Sequence, residues 1–460
     1  MKIKMLLKTA AMCALISAVS TTAAFAAKAD DSAWKDPNSK IYVDKTAVPD
    51  NAKAKAQTPT VKELAAKAPK TIILTDPNAT SETVGLYEYL AALGKTDYVI
   101  YGHQNDAHHK MFLVDSGTNS DTKDITGSLS GIVGMDALSL TGSELNLTKE
   151  EKAKGITYVD KLADIAIKAS KQGAIITLSM HMPNFDLVKK RGMKNGKYDY
   201  IGYSPNVFTG NVVKRIVPGG DLNDVYTGYL DLIADFAAKL EKAGVPVIYR
   251  PLHEHNGFWF YWGAKHCTAD EFINLYRYTV KYFRDVKHVH NFLYAISPNG
   301  PFHTNAAYLD RYPGDRYVDI MGVDTYDDNP PGGTKDDPWF KDFADTLKVV
   351  GTVAKLHHKI PALTEVGIRD GGSLAVADNK NKTWFSQISK MVGKTDMPYF
   401  MVWSNFEREP HNFFEPYMVS KTRGHEMIND FIDYYNEKDS IFADGITNYR
   451  QMPQPNIINK

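Results

Sequence analysis

Residues 222–254 read LNDVYTGYLDLIADFAAKLEKAGVPVIYRPLHE, and the apolar pattern changes period once within them. Leu222, Val225, Tyr226, Tyr229, Leu230, Ile233, Phe236, Ala237 and Leu240 recur at three- and four-residue spacing, which predicts an amphipathic helix. Asp221 is the expected N-cap, and Gly244 stands just past the end. Pro246–Leu252 then runs nearly continuously apolar or aromatic instead of alternating. A short strand buried on both faces has that appearance, as in a parallel sheet covered by helices.

The same strand signal recurs on both sides of this stretch. Upstream lie Tyr98–His103, Ile132–Asp136 and Ile175–Met180; downstream lie Phe292–Ser297, Val318–Asp324, Ile360–Val366 and Met397–Trp403. With Pro246–Leu252 they make eight, separated by segments of helical period. One such segment follows Thr268, with Glu271 completing a capping box and Phe272, Leu275, Tyr276, Thr279 and Phe283 on one stripe. Strand and helix alternating eight times predict a single (β/α)8 barrel of the TIM type. A doubly wound open sheet would carry a glycine-rich phosphate turn after its first strand, and Tyr101-Gly102-His103-Gln104 is not one.

Residues 1–26 combine early lysines, an apolar run and Ala24-Phe25-Ala26, and are expected to be a secretory signal peptide. The expected organisation continues with a linker or irregular wrap over 27–70, the catalytic barrel over 71–445 and a tail over 446–460. The 460 residues are 43% apolar and 11% aromatic, which excludes a disordered chain. Basic and acidic residues balance at 54 each, so no electrostatic footprint for nucleic acid or an anionic membrane is present. Cys13 departs with the signal, and Cys267 is left without a disulfide partner. The expected product is a secreted monomer, extracellular or periplasmic, with no membrane association after signal cleavage.

In such a barrel the chemistry sits at the C-terminal ends of the strands. Those ends carry His103, Asp136, His181, His253, Glu254, Ser297, Asn299, Asp324, Tyr326, Glu365 and Trp403. Glu254 and Glu365 stand out, because carboxylates are rarely buried without a partner. Each could simply brace the barrel against an arginine such as Arg250 or Arg369. As a functional pair they could flank a glycosidic bond, one donating a proton and the other attacking the anomeric carbon. His253 and Glu254 are adjacent and would face opposite ways in a regular strand, so both reach one site only if a bulge or the strand's end re-aims one. Trp259, Trp262 and Trp403, half of the six tryptophans, fall at the expected barrel mouth, where flat rings can stack on the apolar faces of sugars.

The chain resembles glycoside hydrolase family 26, mainly retaining endo-β-1,4-mannanases built on a (β/α)8 barrel. The resemblance is carried by Tyr101–Gln104, by Arg250-Pro251-Leu252-His253-Glu254-His255-Asn256-Gly257 with Trp259 and Trp262-Gly263, by Tyr312–Asp315 leading into Val323–Asp327, by Thr364–Gly367 and by Trp403. It implies Glu254 as acid/base and Glu365 as nucleophile, with Tyr326 orienting the nucleophile and Trp403 flooring the cleaved sugar. His181, His253, Asn256, Trp259, Trp262 and His103 are the further substrate-contact candidates. His255 departs from the family, whose mannanases commonly have Met there, and family 26 also contains β-1,3-1,4-glucanases and β-1,3-xylanases.

The implied partner is plant cell-wall β-mannan or a related polysaccharide, and no cofactor is expected. His103, His108 and His109 cluster, but no helical zinc spacing is present and no metal is expected. Asp327-Asp328-Asn329 is read as a turn before Pro330-Pro331. A sugar-binding protein without turnover is the rival of a different class, and the presence of both glutamates argues against it.

Overall fold

The computed structural model describes residues 52–458 apart from 113–116, 329–336, 370–373, 408, 410–411 and 422. The signal peptide and the turn at Asn329-Pro330-Pro331 lie outside the described residues. Eight parallel strands form the barrel: β1 Val99–Gln104, β2 Ile132–Asp136, β3 Ile175–Met180, β4 Val247–Pro251, β5 Phe292–Ile296, β6 Ile320–Asp327, β7 Ile360–Ile368 and β8 Tyr399–Val402; the short strand Ser440–Ile441 also pairs in parallel with β1, as a ninth member of the sheet. Each barrel strand pairs with its sequence neighbour, and β8 pairs back onto β1 from Tyr399 opposite Ile100 to Val402 opposite His103. The sheet is therefore closed, as the repeated pattern predicts. Every predicted strand is present, with ends shifted by up to three residues.

Both faces of each strand are apolar because each meets a different core. Ile100, Ile132, Ile175, Ile248, Leu293, Ile320, Ile360 and Tyr399, one from each strand, belong to an inner cluster at the bottom of the barrel. Helix α1, Ser81–Leu93, joins that cluster with Tyr449 and Met452, and most of its circumference is buried. Residues of the opposite register, such as Tyr101, Met135, Leu178, Tyr249 and Tyr294, pack outward in a second cluster. That cluster takes in the helices between strands, among them α2 Tyr158–Lys171, α3 Asn223–Lys242, α4 Ala269–Lys281 and α5 Trp339–Leu356.

Helix starts follow local chemistry where no stronger partner competes. At α4 the Thr268 hydroxyl accepts from the Glu271 amide at 3.2 Å, and the Glu271 carboxylate accepts from the Thr268 amide at 2.9 Å. At α3 the expected cap by Asp221 does not form, and Leu222 occupies the N-cap position without a side-chain bond. Asp221 is instead held by Arg215, whose Nε and Nη2 each donate to it at 2.7 Å. A two-pronged, charge-assisted contact outcompetes a single amide.

Segments outside the central repeats are packed against it. Lys55 Nζ donates to the carbonyls of Glu437 and Ser440 at 2.7 Å, and Thr60 caps a short helix, Val61–Ala65. Asn456–Ile457 pairs in parallel with Thr71–Ile72. Among the described residues no helix is long and apolar enough to cross a membrane.

Candidate active site

Backbone irregularities aim both glutamates. Strand β4 ends at Pro251, after which Leu252 and Glu254 adopt left-handed conformations with φ of 54° and 53°. Such values are uncommon for side chains with a Cβ and are held by surrounding structure. Here the Glu254 amide donates to the Ser297 carbonyl at 2.7 Å, tying the turn to the end of β5. His253 and Glu254 thus escape the alternation that would separate them. On β7 the pairing with β6 slips between Leu363 and Glu365, leaving Thr364 as an extra residue. The Thr364 hydroxyl spans the bulge, within hydrogen-bonding distance of the Val323 carbonyl at 3.0 Å and Asp324 Oδ1 at 2.7 Å.

A carboxylate oxygen from each of Glu254, Asp324 and Glu365 lies within 4.8 Å of the others. Three such groups cannot all ionise without compensation, and Arg250 supplies it. Its Nη2 bonds Glu365 Oε1, while its Nη1 donates to Asp324 Oδ2 at 2.9 Å and Ser297 Oγ at 3.0 Å. Glu365 Oε2 accepts from the Tyr326 hydroxyl at 2.6 Å, so both Glu365 oxygens are engaged. The bracing arginine and the paired carboxylates are thus one assembly.

Among the described residues no arginine bonds Glu254 directly, and Glu254 is only 9% exposed. Burial, reinforced by the charge of Glu365, pushes its pKa up to about 7. Trp259 Nε1 donates to Glu254 Oε2 at 2.6 Å, which opposes that rise. Burial also raises Asp324 well above the carboxylate range despite Arg250.

Histidines and rings wall the remaining side. His181 Nδ1 faces Asp136 Oδ2 at 2.8 Å, and the Asp136 charge outweighs burial to raise the imidazole's pKa. His253 packs edge-on to His181 with centroids 4.4 Å apart, and burial with the neighbouring His181 and Arg250 charges lowers it well below its ordinary value. His253 Nδ1 has no hydrogen-bond partner among the described residues. Half-buried Trp403 and Tyr203 each stand 5.8 Å from the His181 ring.

The structure therefore brings together Glu254, Glu365, Tyr326, Trp259, His253, His181 and Trp403, and places three other candidates elsewhere. Trp262 has no exposed surface: it stacks on Phe260 at 4.4 Å and donates to the His253 carbonyl at 2.9 Å, so it supports the wall from behind. His103 is equally buried, 3.2 Å from both Asp106 and Glu415, whose charges outweigh burial and raise it to about 10. Asn256 is exposed and exchanges hydrogen bonds with the Asn299 backbone at 2.8 and 2.7 Å, locking two loops. His255 stacks on Phe272 at 4.1 Å inside the core. Tyr203 and Phe260, the latter 5.4 Å from His181, also wall the site; a single loop ring such as Tyr203 carries no periodic signal, and Phe260 is one of five successive rings, Phe258 to Trp262, among which chain order alone does not select.

Two groups have the composition of a metal site, His103–Asp106–Glu415 and Glu254–Asp324–Glu365. In the first, Ser120, Thr122, Tyr101 and the Ser130 amide already donate to the carboxylates. In the second, the guanidinium of Arg250 stands where a cation would bridge Asp324 and Glu365.

Two carboxyls this close at the mouth of a (β/α)8 barrel, one of them inclined to hold its proton, define a glycoside hydrolase scaffold. Comparison with known proteins narrows the class: the profile of glycosyl hydrolase family 26 matches residues 75–419, and the chain belongs to that family. A mannan endo-1,4-beta-mannosidase of Bifidobacterium adolescentis is 34% identical over 74% of this chain and 33% of its own length. One from Caldalkalibacillus mannanilyticus is 28% identical over 56% of this chain and 47% of its own. The chain thus spans between a third and a half of these relatives. Among solved structures, the catalytic domain of a Bacillus sp. JAMB-750 endo-beta-1,4-mannanase is 33% identical with a TM-score of 0.72, covering 85% of this chain and all of that one. A Bacteroides ovatus beta-mannanase is 27% identical with a TM-score of 0.64, covering 81% and 98%.

Proposed function

We propose that this protein is a secreted endo-β-1,4-mannanase that hydrolyses internal bonds of mannan, glucomannan or galactomannan with retention of configuration. The observation that carries the reading is the approach of Glu254 and Glu365 to within 4.8 Å. A retaining reaction uses carboxyls about 5 to 5.5 Å apart, whereas an inverting one needs room for water between them. The names of the relatives point to mannan, and the apolar run at residues 1–26 supports export.

Glu254, protonated near neutrality, donates its proton to the glycosidic oxygen as the bond breaks. Glu365, ionised and steadied by Tyr326 and Arg250, attacks the anomeric carbon from the opposite face and forms a glycosyl-enzyme. Glu254, now ionised, takes a proton from water, which displaces Glu365 and releases the sugar. His181, neutral His253 and Trp403 shape the cleft for the sugar being cleaved.

The test is reducing-sugar release from β-mannan, mixed-linkage glucan and β-1,3-xylan by the wild type and by Glu365→Ala. Mannan should be cleaved fastest, and the variant should lose at least roughly a thousandfold in kcat, as expected for loss of a covalent nucleophile. Wild-type turnover by Glu365→Ala would refute the assignment.

A further inference from the structure

Of the seven large apolar side chains exposed among the described residues, four lie in one excursion after β3: Leu187, Met193, Ile201 and Phe208. Phe208, 46% exposed, is the aromatic member. Its ring lies flat on His266 with centroids 3.9 Å apart and planes within 7°, so one face is covered and the other is free.

The presentation is built. Asn184 Nδ2 donates to the carbonyls on either side of Phe208, Val207 at 2.8 Å and Thr209 at 3.1 Å. The Tyr261 amide donates to the Pro205 carbonyl at 2.8 Å, fastening this loop to the one that follows β4. A ring pinned in this way loses little conformational freedom when a ligand stacks on it.

Its place relative to the carboxyls follows from a chain of contacts. Trp259 Nε1 donates to Glu254 Oε2, Phe258 packs on Trp259 at 5.2 Å, and the Phe258 carbonyl meets His266 Nε2 at 2.9 Å. His266 carries Phe208. The row therefore runs from Glu254, the proton donor of the proposed mechanism, out to the exposed Phe208 ring. Flat apolar rings beside a cleft match the C–H faces of successive hexoses.

We propose that Phe208, seated on His266, together with Phe258, forms an outlying platform that stacks the sugar units of a β-linked hexose chain beyond Trp259. The proposal rests on the mannanase reading and adds the residues that favour long chains. Its test compares kcat/KM for mannohexaose with that for mannotriose, which is too short to reach the platform from the cleft. In Phe208→Ala the hexaose-to-triose ratio should fall roughly 3- to 10-fold, and Phe208→Trp should restore it.

An unchanged ratio overturns the platform. So does a loss shared equally by both substrates with a lowered Tm, which would make the ring structural, or a loss confined to self-association in sedimentation. A wild type that cleaves no β-mannan refutes the mannanase reading and the platform with it; a cleaving wild type with an unaffected Phe208→Ala refutes the platform alone.

Discussion

Glu254 shows how a single side chain acquires its chemistry. An ordinary glutamate is ionised at neutral pH and could donate nothing, but burial and the charge of Glu365 bring its pKa to about 7. In the proposed mechanism the protonated form breaks the bond, so kcat/KM on mannan should decline as pH rises through about 7. Trp259 donates to the carboxylate and so favours the ionised form. Removing that donor in Trp259→Phe should raise the Glu254 pKa further and move the alkaline limb of the pH profile to higher pH, with a lower maximum. A limb that stays in place or moves down would show that Trp259 does not tune the acid. The apolar setting of Glu254 is legible in Val247–Leu252, whereas the tryptophan that tempers it is visible only once the loop has folded back.

Elements matter because the site is shared among strands. Arg250 leaves β4 fully buried and reaches Asp324 on β6 and Glu365 on β7, tying three strands at the barrel mouth. Taking away one partner of a buried ionic group costs about 3–5 kcal/mol, because the remaining charges are stranded. Arg250→Met should therefore lower stability by about that amount in urea unfolding and also reduce kcat. Arg250→Lys should recover only part of both, since an ammonium cannot fork to two carboxylates. Unfolding at the wild-type urea concentration would remove the brace from the account. The irregularities at Leu252, Glu254 and Thr364 belong to this scale too. Hydrophobic pattern signals that strands exist, but not where one slips by a residue, because a bulge depends on the partner strand.

At the scale of the whole molecule, the barrel is closed at its floor by α1 and by residues near the C-terminus. Ile446, Tyr449 and Met452 are buried with α1, and beyond them the Asn456 and Ile458 amides donate to the Lys70 and Ile72 carbonyls at 2.9 Å. Removing residues 453–460 eliminates those two hydrogen bonds and the one from Gln454 Nε2 to the Ser81 carbonyl at 3.3 Å, and should cost about 1–4 kcal/mol. The carboxyl pair at the opposite end of the barrel should be untouched. The expected outcome is a lower Tm by calorimetry with unchanged kcat on mannan at 25 °C. A large loss of kcat in a chain that still unfolds cooperatively would show that floor and mouth are coupled.

Strand number, barrel class and the two glutamates were all readable along the chain. Each is written in local pattern: strands buried on both faces must be apolar throughout, and an acidic residue at the end of such a run is conspicuous. What the linear order could not reveal is which neighbours meet. Trp259 and Trp262 stand three residues apart in one aromatic stretch, yet one faces Glu254 and the other is sealed behind His253. His103 sits at a strand end like His181, yet Glu415 and Asp106 enclose it while Asp136 leaves His181 beside the cleft. Burial and pairing across long stretches of chain are settled by packing in three dimensions, since they depend on groups that only the closed barrel brings within reach.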